Sequence, residues 1–452
     1  MKKIFHSLSF VNYRIWFFGA LVANIGTWMQ RIAQDWLVLR ILTDNSGFAV
    51  GVTTALQFAP LLVLTPVAGV LADRVNRRKL LMWTQAGMGL TALIQAILVL
   101  SGHAQLWHIY VLALALGAIA AIDAPARQIF VGEMVPSASL PNAVALNSMS
   151  FNAARLVGPG VSGILIAAVG TGWVFLINAI SFGATIIALG MMKISELREL
   201  PRAPRSKGQV RDGLRYVRRR TDILVIMIVA GVVSALGLNF QLTSAVMATQ
   251  VFDQKATGYG VIGSIMAIGS VAGALMAARR PQPRVRLVIM SAFVFGIAAG
   301  INALAPTWEL YLLTSIAVGF CSLTMITSAN TAIQMSTEPS MRGRVMSLYT
   351  LVFLGTTPIG APFVGWVAET ISPRWSVGIG ALASILVAVG AGIWAKQHWR
   401  VEVHYQWHRP YVDIDGPGER AARREENLVP HTEEIQQDPV LNAECVKGEQ
   451  RV

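Results

Sequence analysis

The stretch Gly69-Val70-Leu71-Ala72-Asp73-Arg74-Val75-Asn76-Arg77-Arg78-Lys79 joins two apolar segments, residues 49–71 and 80–100. Each segment has roughly the twenty residues that an α-helix needs to cross a bilayer. The turn between them carries five charges, so it must lie in water or among lipid headgroups. Four of the five are basic, which is typical of the cytoplasmic side of a membrane protein. The sequence therefore predicts two membrane helices joined by a short inner turn.

The composition excludes an ordinary soluble domain. Hydrophobic residues make up 54% of the chain and charged residues only 13%, whereas soluble domains carry about 25% charged residues. We expect an all-α, multi-pass protein of the cell membrane with twelve transmembrane helices. The segments long enough to span are residues 15–42, 49–71, 80–100, 104–124, 140–170, 173–192, 223–252, 259–278, 287–305, 309–335, 345–369 and 375–396.

Basic residues are concentrated on one side of this topology. If the N-terminus lies in the cytoplasm, the inner turns up to residue 344 carry 24 Lys and Arg, and the outer turns carry three. Such an inner excess sets the orientation of membrane proteins. We therefore place both termini in the cytoplasm. The net charge of +13 then follows from topology, and we expect no nucleic-acid partner.

The chain repeats itself at an offset of 203 or 204 residues. Three anchors recur at the same place in the helix order: Gly69 as Gly273, Pro136 as Pro339, and Gly158-Pro159 as Ala361-Pro362. Parallel repeats of this kind build transporters from two six-helix bundles. The predicted parts are an N-terminal half (1–192), a basic cytoplasmic linker (193–222), a C-terminal half (223–398) and a tail (399–452).

The linker and the tail have different compositions. Residues 210–220 have the pattern of a basic amphipathic helix, which fits either binding to an anionic inner leaflet or a solvated tether. The tail is polar and punctuated by Pro and Gly, so we expect disorder. It contains His404 and His408, four residues apart, but Pro410 favours an unstructured stretch there, and the two cysteines have no ligand spacing. We therefore predict no metal site.

Charged residues occupy the apolar middle of only two segments, the first and the fifth. In each, polar residues at spacings of three and four share one helix face. The two stripes are Asn24, Trp28, Arg31 and Asp35, and Ser148, Asn152, Arg155 and Pro159. A charge at the centre of a membrane helix costs about 2.5–3.5 kcal/mol on insertion scales and normally faces a bundle interior or a water-filled cavity. We expect both stripes to line a substrate cavity.

Asp35 lies one helical turn from Arg31 and has two interpretations. In the first, Asp35 titrates, and binding of a proton frees Arg31 and biases the protein between inward- and outward-open states. In the second, Asp35 only neutralises Arg31, and neither residue contacts substrate. The sequence leaves both open.

The inner turn resembles the signature loop between helices 2 and 3 of the major facilitator superfamily of transporters. The match is Gly-x-x-x-Asp-Arg-x-x-Arg-Arg over residues 69–78. Asn76 stands where the pattern usually has a second glycine, and we expect it to adopt left-handed backbone angles. Other passages are similar to the enterobactin-exporter and macrolide-efflux branch, namely residues 26–30, 33–37, 124–128, 140–148, 155–159 and 342–347.

This resemblance covers residues 5–398 and implies the fold, the direction and a gate. Helices 1 and 5 line the central cavity in the superfamily, and the helix-5 Gly158-Pro159 region is similar to a motif of exporters. In relatives, the acid and the arginines of the signature loop lock the inner side, and Asp123 resembles the acid that joins them. The implied gate comprises Gly69, Asp73, Arg74, Arg77, Arg78 and Asp123.

The predicted gate includes two specific contacts, one made by its acid and one made by its arginines. We expect Asp73 to lie against the N-terminus of helix 11, near Gly343–Ser347, because the positive end of a helix favours a carboxylate. Arg77 or Arg78 should pair with Asp123. Both contacts should exist only when the inner side is closed, and they should therefore stabilise the outward-open state.

The sequence thus predicts a transporter rather than an enzyme. We expect a monomer that exports a hydrophobic or amphipathic, drug-like molecule by proton antiport, with the proton gradient as its energy source and no cofactor. A siderophore or metabolite exporter is the alternative. A nutrient symporter is less favoured, because the branch resemblance and the helix-5 motif both imply export. A non-transporting sensor or scaffold is disfavoured as well, because it has no need of a gate or of buried arginines. Gly258-x-Gly260-x-x-Gly263 lacks the preceding strand of a dinucleotide site, and Gly269-x-x-x-Gly273 suits helix packing.

Replacement of the signature acid should impair the gate. Asp73→Asn is expected to lower transport without affecting membrane insertion, because the neutral amide loses its attraction to the helix end. Transport into inverted vesicles, divided by the amount of inserted protein, measures the effect. Lys79→Gln, which removes a charge from the same turn, is the control, and normal transport by inserted Asp73→Asn would contradict the gate.

Overall fold

The computed structural model describes residues 5–198, 209–278, 285–338, 341–398, 402–406 and 409–413, without the side chains of 65–67, 69, 70, 72, 73, 209–211, 277, 278, 398 and the last two stretches. These ranges contain fifteen α-helices. They are α1 (Val11–Trp36), α2 (Gly47–Arg74), α3 (Arg77–Leu100), α4 (Leu106–Met134), α5 (Leu140–Val169), α6 (Thr171–Gly190), α7 (Gln209–Arg219), α8 (Thr221–Val232), α9 (Phe240–Val246), α10 (Ala256–Ala278), α11 (Val285–Ala303), α12 (Trp308–Ser336), α13 (Arg342–Gly355), α14 (Thr357–Thr370) and α15 (Pro373–His398).

Eleven spans in the described ranges are long and apolar enough to cross a membrane. In this count α8 with α9, and α13 with α14, each form one span. The sequence predicts twelve, and α1 is not among the eleven. Its 26 residues are sufficient in length, but Gln30, Gln34 and Asp35 are buried within it and lower its mean hydropathy.

The membrane helices form two groups that meet along two seams. In the first group, α1 packs against α5 and α6, α3 packs against α4 and α6, and α2 packs against α4. In the second group, α10 packs against α12, and α11 packs against α12 and α15. The seams between the groups are α2 with α14 and α5 with α10. Between the two seams, α1 of the first group faces α9 of the second.

Glycines allow the helices to cross closely. A Cβ at Gly260 in α10 would lie 2.4 Å from the carbonyl oxygen of Pro159 in α5, and a Cβ at Gly269 would lie 2.0 Å from the carbonyl oxygen of Ile316 in α12. No side chain tolerates such distances, so these crossings require glycine. The packing role predicted for Gly269 is therefore confirmed, and Gly260 belongs to the α5–α10 seam.

The predicted segment 223–252 is not one continuous helix. After α8, a wider π-type turn covers Val233–Gly237, and α9 begins at Phe240. In the break, the side-chain amide of Asn239 donates to the carbonyl oxygen of Ala235 at 2.7 Å. Interrupted helices are tolerated at membrane depth where the backbone lines a cavity. The break therefore marks a place where the wall of a cavity is expected.

Only Val75 and Asn76 separate α2 from α3. Asn76 has φ −62° and ψ 112°, so the backbone is extended and the prediction of left-handed angles is wrong. Its side-chain oxygen accepts a hydrogen bond from the backbone N–H of Lys79 at 3.1 Å. Asn is among the favoured N-cap residues, and Asn76 caps α3 in this way. The turn therefore does not require a second glycine.

The linker contains α7, as the pattern over residues 210–220 predicts. This helix packs against α13, where Asp212 Oδ2 lies 3.6 Å from a guanidinium nitrogen of Arg344. In the tail, where the sequence predicts disorder, β1 (Glu402–Gln406) and β2 (Arg409–Asp413) pair as an antiparallel hairpin. His408 and residues 414–452 lie outside the described residues, and the division into two halves, linker and tail stays a prediction.

A methyl group at the α10–α12 crossing should destabilise the protein. Gly269→Ala is expected to lower the melting temperature in detergent, because its Cβ would collide with the Ile316 backbone. Gly390→Ala in α15 is the matched control, since nothing lies within 4 Å of its Cβ position and alanine favours a helix by roughly 1 kcal/mol. Equal melting temperatures of the two variants would contradict the close crossing.

Candidate functional site

A cavity of about 370 Å³ lies between the two groups of helices. Small-molecule sites commonly measure roughly 300–1,000 Å³, so the volume suits a small organic ligand. Its wall combines α1, α2 and α5 of the first group with the α8–α9 break, α12, α13 and α14 of the second. Because both groups contribute, the shape of this cavity depends on how the groups are placed relative to each other.

Two arginines flank a single indole on this wall. The Cζ of Arg31 lies 5.0 Å from the ring centroid of Trp28, and the Cζ of Arg155 lies 5.7 Å from the same ring. Arg31 is also 5.8 Å from the ring of Phe58, and Phe151 meets Trp28 edge-on at 5.7 Å. Cations within about 6 Å of an aromatic ring are attracted to its face. We call these five residues the arginine–aromatic cluster.

Only some residues of the two predicted stripes line the cavity. Of the seven residues predicted to serve the cavity, Trp28, Arg31 and Arg155 line it. Asn24, Ser148 and Asn152 lie on the same helices, and the amide of Asn152 donates to the carbonyl oxygen of Ser148 at 2.8 Å. Ser148 is exposed and Asn152 half-buried. A role for these three in substrate binding stays a prediction.

Asp35 links the two groups of helices. Its side chain is only 6% exposed, and the hydroxyl of Tyr259 in α10 donates to Asp35 Oδ2 at 2.9 Å. The same hydroxyl lies 3.1 Å from the carbonyl oxygen of Gln241 in α9. Among the described residues, no ion pair within 4 Å joins Arg31 to Asp35, because Arg31 turns toward Trp28 and Phe58. The pairing of Arg31 with Asp35 within one helix is therefore not formed in this state.

Sequence analysis missed the contributions of the second group. Gln241 and Asn239 line the cavity, and Tyr259 holds Asp35, yet none of them carries a charge. The available signal was the cluster of Gly237, Asn239 and Gln241 in an otherwise apolar segment, which is typical of an interrupted helix. The partner of Asp35 had no such signal, since a tyrosine is common in membrane helices.

Asp123 has partners other than the predicted arginines. Its Oδ1 accepts hydrogen bonds from the hydroxyl of Thr84 at 2.6 Å and from the amide of Gln85 at 2.9 Å. Its Oδ2 lies 2.7 Å from a guanidinium nitrogen of Arg127, one turn along α4. This buried carboxylate therefore has three polar partners, all of them within the first group of helices.

The arginines of the inner turn also contact other partners. Arg77 forms an ion pair with Glu133 near the end of α4, and Arg78 donates to the carbonyl oxygens of Leu189 at 2.6 Å and Gly190 at 3.2 Å. The last carbonyls of a helix are free and carry its negative end, which explains the attraction of Arg78 to the end of α6. In this structure neither Arg77 nor Arg78 pairs with Asp123, and their pairing when the inner side is closed stays a prediction.

Three residues of the predicted gate remain: Gly69, Asp73 and Arg74. Arg74 is exposed at the end of α2. The surroundings of Gly69 and the side chain of Asp73 lie outside the described residues, so the contact of Asp73 with the N-terminus of α13 stays a prediction.

Hydrogen bonds also join the two groups at the end of the spans remote from the Val75–Asn76 turn. Glu369 Oε2 accepts a hydrogen bond from the hydroxyl of Ser46 at 2.6 Å and from the backbone N–H of Phe48 at 3.2 Å. The amide of Gln250 donates to the carbonyl oxygen of Asn45 at 2.7 Å. These contacts hold α2, α14 and the end of the α9 span together at this end of the molecule.

The sequence matches known membrane transporters. The profile of the transmembrane secretion effector family matches residues 4–416. The chain is 22% identical over 392 residues to the staphyloferrin A transporter of Staphylococcus aureus, covering 86% of this chain and 95% of that protein. It is 26% identical to the multidrug efflux pump Tap of Mycolicibacterium fortuitum (78% and 88% covered) and 23% identical to the enterobactin exporter of Citrobacter koseri (77% and 83% covered).

Solved transporter structures share the fold. A POT family transporter in complex with 5-aminolevulinic acid superposes with a TM-score of 0.71 at 10% identity, covering 85% of this chain and 96% of that one. A bacterial homologue of the human lysosomal transporter Spinster, inward-facing and occupied, gives a TM-score of 0.65 at 14% identity, with 86% and 98% covered. At such identities the likeness shows the fold alone.

Thiol labelling tests which part of α5 reaches water. In a background with Cys321→Ser and Cys445→Ser, Ser148→Cys and Asn152→Cys are expected to react with a polar maleimide in membranes. Ser162→Cys on the same helix is the matched control and should resist, because Ser162 is 0% exposed. Mass spectrometry of the labelled protein measures the reaction. Equal resistance of all three cysteines would mean that the α5 stripe is buried packing.

Proposed function

The chain belongs to the transmembrane secretion effector family of the major facilitator superfamily, and we propose that it exports a hydrophobic or amphipathic small molecule by alternating access. The observation that carries the proposal is the arginine–aromatic cluster on the wall of a cavity shared by two groups of helices. Rocking one group against the other would open such a cavity to either side in turn.

The direction of transport rests on the relatives. One is a multidrug efflux pump and one is an enterobactin exporter, so both move compounds outward. An outward direction also fits a cavity with broad aromatic walls, since such walls accept apolar molecules of varied shape. The cell membrane is the place where such an exporter would act, and a monomer suffices because the cavity is complete within one chain.

Export of a siderophore or another polar metabolite is the second candidate. The similarity to an enterobactin exporter and to a staphyloferrin A transporter favours it. Counterflow of labelled compounds in proteoliposomes separates it from drug export and also separates transport from a sensor or scaffold role, since a scaffold exchanges no substrate.

We include α1 as a twelfth membrane helix, with both termini in the cytoplasm. Its polar residues are matched by neighbours rather than turned to lipid: the amide of Gln30 donates to Gln95 at 3.1 Å, and Asn178 donates to Gln30. A helix whose polar groups are satisfied by other helices can cross the bilayer in spite of low hydropathy. The excess of basic residues on the inner turns supports the orientation, and α7 would lie near the anionic inner leaflet.

The hydrogen bonds between Glu369 and Ser46 and between Asp35 and Tyr259 support an outward end that is closed in this state. Opening that end would separate α1 from α10 and release Asp35 from the Tyr259 hydroxyl. The freed carboxylate would then meet external water and take up a proton. A group whose partner exists in only one state has the differential affinity that coupling to a proton requires.

The proton gradient supplies enough energy for this cycle. One proton that moves down a potential of 100 mV releases about 2.3 kcal/mol, which sustains a concentration gradient of roughly fiftyfold. No bound cofactor is needed for such coupling.

Removal of the titratable group should uncouple the transporter. Asp35→Asn is expected to abolish accumulation driven by an imposed pH gradient but to spare exchange at equal concentrations on both sides, because exchange needs no proton step. Uptake of a labelled substrate into inverted vesicles, with and without the gradient, measures both.

Asp44→Asn is the matched control for this experiment, because Asp44 is an exposed acid outside α1 and α2. Proton-driven accumulation by Asp35→Asn at the level of the control would show that Asp35 is only a structural counter-ion. Glu133 and Asp123 would then be the next acids to test.

A further inference from the structure

The charges on the cavity wall are all of one sign. The described residues that line the cavity include two cations, Arg31 and Arg155, and no Asp, Glu or Lys. Both guanidinium groups lie within 6 Å of the Trp28 ring, and among the described ion pairs none involves either arginine. The cavity therefore holds two positive charges beside one indole, and in the described part of the chain the carboxylate of Asp35 attracts Arg31 only from beyond ion-pair distance.

The nearest acid is already engaged. Asp35 Oδ2 accepts the hydrogen bond from Tyr259, and Asp35 is not part of the described cavity wall. Two like charges repel strongly where the dielectric constant is low. Aromatic faces attract the guanidinium groups but supply no compensating charge. An anion between Arg31 and Arg155 would remove this repulsion and would accept the free N–H groups of both.

A third donor faces the same space from the second group. Gln241 lines the cavity, and its Nε2 is buried without a hydrogen-bond partner among the described residues. An unmatched buried donor costs free energy of about 1–3 kcal/mol. An oxyanion accepts hydrogen bonds from an amide N–H and from guanidinium groups, so one bound oxyanion would serve as the acceptor for Gln241 and for both arginines.

Most of the rest of the wall is apolar, although Thr54, Ser234, Asn239 and Thr357 also line it. Trp28, Phe58, Phe151 and Phe240 contribute rings. A second pocket of about 220 Å³ is lined mainly by the first group, with apolar side chains such as Met88, Leu116 and Phe182. It shares Arg31, Phe58 and, from α13, Leu354 with the central cavity. Arg31 thus lies where the two spaces meet, with apolar surface on both sides.

From this geometry we infer that the transported molecule is an amphipathic organic anion. Its acidic group binds between Arg31 and Arg155, with Gln241 as a further donor. Its apolar part packs on Trp28 and Phe151, and a substituent reaches the pocket lined mainly by the first group. This inference rests on the proposed function and narrows its substrate class, since cationic drugs would meet two like charges in the cavity.

An anionic substrate also changes the energetics of export. With the cell interior negative, the membrane potential itself drives an anion outward by about 2.3 kcal/mol per charge and 100 mV. Entry of one proton for each monoanion that leaves moves two charges in the favourable sense.

Binding of three probes that share one fluorophore tests the charge preference. Dansylglycine carries a carboxylate, dansylglycinamide is neutral and N-dansylethylenediamine carries an ammonium group. Their dissociation constants are measured by fluorescence with the full-length protein in lipid nanodiscs, with empty nanodiscs as the blank. We expect dansylglycine to bind at least tenfold more tightly than the neutral probe and the ammonium probe to bind most weakly.

Variants then assign the preference to the cavity arginines. Arg155→Gln should weaken dansylglycine at least tenfold and change dansylglycinamide less than twofold, and the unchanged neutral probe shows that the variant is folded. Arg155→Lys should retain most of the preference. Arg40→Gln is the matched control, because Arg40 also lies over an indole, 5.9 Å from Trp36, but on the exposed surface.

Each outcome decides a separate point. Equal binding of the three probes, tighter binding of the amine, or no binding of dansylglycine overturns the anion assignment. Counterflow of the same probes in proteoliposomes tests the proposed function independently. Probes that move without charge preference leave the exporter proposal standing and the anion assignment refuted. Tight dansylglycine binding without counterflow of any probe refutes the exporter proposal and leaves the anion site standing.

Discussion

An arginine in the middle of a membrane helix cannot face lipid without a large cost in free energy, and this constraint organises the centre of the protein. Arg31 in α1 and Arg155 in α5 both turn to the indole of Trp28. Because α1 and α5 pack side by side, their polar faces are directed into the same space. The cavity exists where these two faces and the interrupted α8–α9 span come together.

The opposite side of α1 is tied to its own group by amides. Gln30 and Gln34 are buried and bond with Gln95 of α3, and Asn178 of α6 joins them. Buried networks of this kind hold helices in one register, because any shift leaves polar groups unmatched. α1 is therefore fixed to the first group, and the contact between Asp35 and Tyr259 joins it to the second group.

The two ends of the molecule use different kinds of contact. At the end that carries the Val75–Asn76 turn, Asp123 pairs with Arg127 and Arg77 with Glu133, both within the first group. At the opposite end, Glu369 of α14 receives hydrogen bonds from α2 and the residue that caps it. Along the α5–α10 seam, backbone meets backbone at Gly260, so the groups can tilt without repacking large side chains. This distribution fits a molecule whose seams act as pivots and whose polar contacts change between states.

The sequence by itself determined the class of the protein. Hydropathy and the placement of lysines and arginines depend on each segment alone, since insertion into a bilayer is decided segment by segment. The spacing of the polar residues around Arg31 and around Arg155 predicted two polar helix faces, because the position of a residue along a helix sets the direction of its side chain. The signature loop identified the superfamily. The packing role of Gly269 was also accessible, because a close crossing requires small residues wherever it occurs.

The tertiary structure decided which groups meet. Asp35 bonds with Tyr259, 224 residues away in the chain, rather than with Arg31 one turn away. Asp123 selects Arg127 over the arginines of the inner turn, and Gln241 reaches the cavity only because the α8–α9 span is interrupted. Which of these side chains pair depends on the distances between the packed helices. Helix periodicity specifies the direction of a side chain from its own axis, but the neighbour it meets depends on the packing of all the helices at once.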